Sequence, residues 1–253
     1  MRALILLILL MPALANPARA AEPVDLTLVL VSDVSRSVDD ASFRMQKAGY
    51  TAAFNDPRVL AAIRGGPIGA IAIAYVEFAG SFEVSTVLDW QVVRDAGSAR
   101  QLTDAIEAAP RSFWGRTSIS AGIDRAMLLL QENGFETQRR VIDVAGDGTN
   151  NSGRQASAAR DDAVAAGVTV NGLAVPNENP TSSTFAHVQP PGGLTEWYRQ
   201  NVIGGPGSFV IEARDYAAFG EAMTRKLINE IAALPPAIPG LASNDATVVT
   251  SLP

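Results

Sequence analysis

The sequence contains no cysteine and a single histidine, His187. Without thiols there is no disulfide framework, no thiolate metal site and no cysteine nucleophile, so an exported chain of this kind must draw its stability from its core or from a bound ion. One imidazole is too few for the usual zinc ligand sets. His187 lies in a loop-like stretch rich in Pro, Asn and Ser, with no nucleophile beside it, which leaves a Ser-His-Asp arrangement without support. Charged residues make up only 18% of the chain, too few for a long coiled coil. Basic residues are the minority, 20 Lys and Arg against 26 Asp and Glu, for a formal charge of −6. No basic stripe is therefore available to neutralise phosphates, and nucleic acid is not an expected partner. The same sign disfavours anionic lipid. No Gly-rich phosphate loop follows a predicted strand, and Gly65-Gly66 and Gly204-Gly205 read as turns.

Long apolar runs are scarce as well. The N-terminal run at residues 3–11 follows Arg2, is too short to cross a bilayer, and precedes Ala18-Arg19-Ala20, a small-x-small cleavage pattern. Residues 1–20 thus read as an export signal, which makes the expected location periplasmic or secreted, with no membrane span. Removing the two positive charges of Arg2 and Arg19 takes the formal charge from −6 to −8. What is abundant is apolar content, 47% of 253 residues, enough for one well-packed domain and too much for a disordered chain. We expect that domain over residues 21–234 and a tail over 235–253.

Along the chain, strand-like and helix-like segments alternate. Residues 26–31 (LTLVLV) read as a strand buried on both faces. Ser37 with Asp40 three residues on resembles a capping box, opening a helix with Phe43, Tyr50 and Phe54 on one face and a stop at Asn55-Asp56-Pro57. Two strands joined by a tight turn follow at 67–78 and 81–88. A short helix around Leu102 and Ile106 and a longer one with Ile119, Ile123, Met127 and Leu130 come next. Strands at 141–145 and 168–175 bracket an alanine-rich helix ended by Gly167. Residues 176–193 read as a long loop. A last strand at 208–211 precedes a helix with Phe219, Met223, Leu227 and Ile231 in line. This order predicts a doubly wound, mostly parallel α/β sheet of Rossmann-like type, with helices on both faces, one antiparallel edge strand, and any site at the carboxyl ends of the strands.

Three segments place small oxygen-bearing side chains at those ends: Asp33-x-Ser35-x-Ser37, Thr117 after Gly115-Arg116, and Asp147 between two glycines. Carboxylates and hydroxyls, with no sulfur or imidazole, suit Mg²⁺, Mn²⁺ or Ca²⁺ and are poor ligands for zinc or copper. Two carboxylates leave a divalent ion open to a further, external carboxylate. The competing local reading is helix capping, which is what Ser and Asp at strand-to-helix loops commonly do.

Asp33-x-Ser35-x-Ser37, Thr117 and Asp147-Gly148, in that order, resemble the metal-ion-dependent adhesion site (MIDAS) of the von Willebrand factor type A (vWA) domain, and the resemblance covers residues 24–232. It implies that Ser35, Ser37 and Thr117 contact the metal and that Asp33 and Asp147 bind it directly or through water. It further implies a protein partner whose Asp or Glu side chain completes the coordination. The stretch from Arg139 to Asn151 resembles a bacterial, exported branch of the family of uncharacterised function, with Asp143 standing where members usually carry an apolar residue. Asp143 reads as a buried carboxylate paired with an adjacent arginine. Trp114, Arg116 and Asn150 are candidates for the rim that a partner meets. Two other readings compete: a metal-dependent hydrolase, with Asp143 or Glu77 as general base, and a scaffold whose ion is structural.

Overall fold

The structure, a computed structural model, describes residues 21–176 and 190–232. The expected export signal, the expected tail and His187 lie outside the described residues.

Strand β1 (Glu22–Pro23) leads into β2 (Leu26–Asp33), which is buried along its whole length. Leu26, Leu28 and Leu30 pack on one face of the sheet and Val29 and Val31 on the other, the period-two signature of a central strand. Helix α1 (Asp40–Phe54) starts later than a Ser37 cap would have it. Asp39 is the N-cap and accepts from the Ser42 amide at 2.7 Å, which corrects the capping-box expectation and leaves the Ser37 hydroxyl available elsewhere. The expected stop at Asn55-Asp56-Pro57 is a relay between two helices. Asp56 caps α2 (Pro57–Arg64) by accepting from the Arg58 amide at 2.8 Å, and Pro57 sits in the first turn, where a missing N–H costs nothing.

Strands β3 (Ile71–Phe78) and β4 (Val84–Val93) form the predicted antiparallel pair. Helices α3 (Ala96–Ala108) and α4 (Ile119–Gln131) follow, then β5 (Phe135–Glu136), β6 (Arg140–Gly146), α5 (Ala156–Ala165) and β7 (Thr169–Ala174). Helix α6 (Leu194–Asn201), which the sequence reading did not anticipate, leads to β8 (Val210–Glu212), a single 3-10 turn (Tyr216–Ala218) and α7 (Phe219–Ala232).

The main sheet runs β4-β3-β2-β6-β7-β8, parallel throughout except at the β3–β4 edge, and β1 pairs with β5 in a separate two-stranded ladder. This is the doubly wound sheet expected from the alternation of elements. Helices α1, α2, α3 and α7 cover one face, and α4, α5 and α6 the other. On the first face α1 and α7 cross at Gly49 and Gly220. A Cβ on Gly49 would come within 2.5 Å of the Phe219 ring, so the helices approach as closely as bare backbone permits. Tyr50 fills the space beside this crossing, edge-on to Tyr75 at 5.6 Å and to Phe219 at 5.2 Å. The chain leaves β2 toward β3 on one side and returns to β6 on the other, so the crevice at the carboxyl ends of β2 and β6 is the topological switch point.

Candidate functional site

Asp33 ends β2 and Asp147 follows β6, which places two carboxylates on either side of that crevice. Thr117 reaches it from a third direction, immediately before Ser118, the N-cap of α4. The three segments meet in one chain of hydrogen bonds. Thr117 Oγ1 donates to Ser35 Oγ at 3.1 Å, Ser35 and Ser37 share a hydroxyl contact of 3.1 Å, and Ser37 Oγ donates to Asp147 Oδ1 at 2.6 Å. Asp33 folds back on its own loop, Oδ1 accepting from the Ser35 amide at 2.7 Å. Its other oxygen, Oδ2, is buried with no hydrogen-bond partner among the described residues. Asp33, Ser35, Thr117 and Asp147 are each at most 3% exposed, so this is an interior polar cluster at the floor of a surface cleft of about 460 Å³.

Two buried carboxylates this close cannot both ionise freely. Burial pushes Asp33 up to about 6, against the pull of the Ser35 bonds and of Arg111. Burial and then the charge of Asp33 push Asp147 up to about 8. A divalent cation held by the two carboxylates would offset both costs, and the donor set of carboxylate and hydroxyl oxygens, with Asp33 Oδ2 unpartnered, fits a hard ion. Among the described residues no group of three or more His, Cys, Asp or Glu could hold a metal, so the hydroxyls are essential to this fit.

The backbone around the cluster is locked. The Thr117 amide donates to Asn151 Oδ1 at 3.0 Å, and the Asn151 and Ser152 amides donate to the Thr117 oxygen at 2.9 and 3.0 Å. Gly146 permits β6 to pass the site, because a Cβ there would lie 2.8 Å from the Tyr198 hydroxyl and 3.1 Å from Asp33 Oδ2. From below, Arg111 donates through Nη2 to the Val34 and Ser35 oxygens, both at 2.7 Å, and through Nε to the Phe113 oxygen at 2.9 Å. Its guanidinium stacks 3.7 Å from the Trp114 ring centroid.

The three rim candidates divide. Trp114 is half exposed, and its ring covers Arg111. Arg116 donates to the Asn151 oxygen at 2.7 Å and lines the cleft. Asn150 turns inward: its Oδ1 accepts from the Ser120 amide at 3.1 Å and its Nδ2 donates to the Ser152 and Arg154 oxygens, so it ties the loop after β6 to α4. The residue that orients Thr117 is its neighbour Asn151, one of two adjacent asparagines that the sequence pattern does not distinguish. Arg111 was missed for a similar reason, since it lies 76 positions from Ser35 and carries no local motif.

The two general-base candidates are engaged elsewhere. Glu77 accepts from the Ser112 amide at 2.9 Å and from the Tyr75 hydroxyl at 3.3 Å. Asp143 is buried as expected, but its partner is Lys226 of α7 at 2.7 Å, not an adjacent arginine. Arg139 and Arg140 instead donate to main-chain oxygens of Ile231, Glu230 and Ala166.

Residues 23–235 match the model of the family described as "Protein of unknown function (DUF1194)". The chain belongs to this family. A comparison with curated proteins found no match. Solved structures share the fold of this DUF1194 chain at low identity. Proximal thread matrix protein 1 (PTMP1) from the mussel byssus is 16% identical with a TM-score of 0.56, over 85% of this chain and 48% of that one. A von Willebrand factor type A protein from Catenulispora acidiphila is 13% identical with a TM-score of 0.58, over 82% and 43%. The pilus adhesin SpaC from Lactobacillus rhamnosus GG, in an open conformation, is 15% identical with a TM-score of 0.53, over 85% and 31%. The DUF1194 chain therefore has the Rossmann-like vWA fold, and it spans half or less of the length of these structures. One PTMP1 structure is described as having a zinc-occupied MIDAS motif.

Proposed function

We propose that this chain is an exported protein-binding module in which Asp33, Ser35, Ser37, Thr117 and Asp147 hold a divalent cation that captures a carboxylate of a protein partner. The observation that carries this reading is the meeting of five oxygen-bearing side chains from three separate segments, four of them in one hydrogen-bonded chain and the fifth, Asp33, joined to it at the Ser35 amide with its Oδ2 left without a partner. When bound, the ion supplies an electropositive coordination position that an outside carboxylate can fill.

The chain's own residues prepare that position. Arg111 and the Asn151 side chain fix the backbones of Ser35 and Thr117, so the hydroxyls are held in place before any partner arrives. Ser37 holds Asp147 by its Oδ1, and Asp33 Oδ1 is engaged by the Ser35 amide, which leaves Asp33 Oδ2 without a protein partner. Arg116 stands at the mouth as a fixed positive charge facing an acidic partner.

Mg²⁺ and Mn²⁺ suit the donor set, Ca²⁺ is tolerated by the same oxygens, and zinc belongs in the test because a neighbour's MIDAS is described with it. A hydrolase using the same ion needs a base, and both carboxylates named for that role are committed to other contacts.

The test is a pull-down from an extract of the native cells with each cation and with EDTA, alongside direct metal titration. A protein retained only with metal, and lost with the Ser35→Ala, Asp147→Ala double variant, is the expected result. Equal retention by the double variant would overturn the reading. Retention of nothing, together with a melting temperature that falls on chelation, would support the structural ion instead.

A further inference from the structure

The cleft above the candidate ion site is not uniformly polar. One end of it is Phe82, which is 97% exposed at the tip of the turn between β3 and β4. A single exposed apolar side chain is unremarkable in a mobile loop. This one is not in a loose loop. The Ala79 amide donates to the Glu83 oxygen at 2.8 Å and the Glu83 amide to the Gly80 oxygen at 2.9 Å. Glu83 Oε2 accepts from the Gly80 amide at 2.9 Å, and the Ser81 amide donates to Ser152 Oγ at 3.3 Å. The turn is thereby closed on itself and tied to the loop after β6, the loop that orients Thr117. Phe82 is held out into solvent, beside the site, by a fixed frame.

The charges lining the cleft are equally placed. Arg36, between Ser35 and Ser37, and Arg116, next to Thr117, both border it, and the Glu83 carboxylate lies against Gly80 and Gly115, where a Cβ on Gly115 would collide with its Oε2. With a divalent ion balanced by Asp33 and Asp147, the open coordination position beside Arg116 would favour a negative group. Toward Phe82 the aromatic ring favours apolar contact.

We infer that the cleft reads two adjacent features of its partner: an acidic side chain at the ion and a bulky apolar side chain next to it, packed on Phe82. The occupant is therefore a protein segment with an acidic residue beside an aromatic or large aliphatic one. This inference rests on the ion-mediated capture proposed above and names the partner chemistry for that same site. Because the turn that carries Phe82 is preorganised, little backbone ordering cost offsets the contact.

The experiment uses the full chain in Mg²⁺ and three fluorescein-labelled, end-blocked peptides, Gly-Asp-Phe-Gly, Gly-Asp-Ser-Gly and Gly-Asn-Phe-Gly, followed by anisotropy. The Asp-Phe peptide is expected to bind about tenfold tighter than the Asp-Ser peptide, as for truncation of an interface aromatic. Phe82→Ser should bring that ratio close to one without weakening the Asp-Ser peptide, and Phe82→Leu should keep most of it. The Asn-Phe peptide should bind far more weakly than the Asp-Phe peptide. Since Phe82 is almost fully exposed, these variants leave the core untouched. Metal-dependent binding of the Asp-Phe and Asp-Ser peptides with equal affinity, or a preference that survives Phe82→Ser, would overturn this inference and leave ion-mediated capture standing. Binding that is indifferent to EDTA, or no binding of either Asp peptide in Mg²⁺, would overturn both.

Discussion

Arg111 holds Ser35 by its backbone, Nη2 donating to the Ser35 oxygen at 2.7 Å while the face of the guanidinium lies against Trp114. A half-exposed ring, a buried cation and the loop that carries three of the five candidate ligands are thus one connected unit. Replacing Arg111 by Met takes the side-chain donor from the Val34, Ser35 and Phe113 oxygens, of which Ser35 keeps only the Val38 amide, at about 1–3 kcal/mol. We expect Mg²⁺ affinity, measured by calorimetry, to fall at least about tenfold. Arg111→Lys keeps the charge but loses the fork, so it should recover part of the fold stability and little of the metal affinity.

The pH dependence should change sign with metal. In the metal-free protein burial raises Asp33 to about 6, Asp147 to about 8 and Asp143 to about 7, from an ordinary value of 3.8. A carboxyl raised in the folded state supports the fold while it is protonated, and that support is lost as pH rises through the folded value. Metal-free melting temperature should therefore decline from about pH 4 to pH 8. A bound cation requires ionised Asp33 and Asp147, so the stabilisation on adding Mg²⁺ should grow over the same interval. Thermal melts at pH 5, 6, 7 and 8, with and without Mg²⁺, check this. A metal-induced shift that is constant with pH would contradict it.

The cluster beneath α7 predicts unequal costs for its members. Lys226 is fully buried between Asp143 and Glu230, and Asn171 Nδ2 donates to Glu230 Oε1 at 2.8 Å. Two carboxylates share one ammonium. Lys226→Met leaves Asp143 without its cation and Glu230 with the Asn171 bond alone, and should cost about 3–5 kcal/mol in urea denaturation. Asp143→Asn removes the surplus negative charge and keeps the shape, so its cost should stay near about 1 kcal/mol. Mg²⁺ affinity should be unchanged in the Asp143 variant, because Asp143 pairs with Lys226 of α7 and is not one of the five proposed ligands.

Gly146→Ala tests the packing behind the site. Its Cβ would crowd the Tyr198 hydroxyl and Asp33 Oδ2 at 2.8 and 3.1 Å. Overpacking of this kind costs about 1–3 kcal/mol. Because the crowded oxygen belongs to one of the five proposed ligands, metal affinity should fall by more than stability alone explains, as read by titration of the folded variant.

Much of the architecture was legible because it is written in local patterns. The LTLVLV run at residues 26–31 is apolar on both alternating sets and is a central strand, and Ile119 and Ile123 mark the buried stripe of α4. Where several local signals compete, the reading slipped. Ser37 and Asp39 are both good N-caps, and Asp39 takes the role because Ser37 is drawn to Asp147, 110 positions away. Asp56-Pro57 ends one helix and starts the next, a choice that depends on how Val59, Leu60 and Ile63 find the core.

The sequence by itself determined the chemical character of the site and the edge of the sheet where it lies: small oxygen donors after β2 and β6 and before α4, in an α/β alternation whose strand ends share one edge. Only the tertiary structure decided which side chains meet. It chose Asn151 over Asn150 to orient Thr117, Lys226 over the neighbouring arginines to partner Asp143, and Arg111 to hold the Ser35 backbone. The physical reason is that periodicity and capping are set within a few residues. Partners across the crevice are chosen by burial, where every polar atom taken from water must find its counterpart from whatever distant segment the sheet order brings alongside.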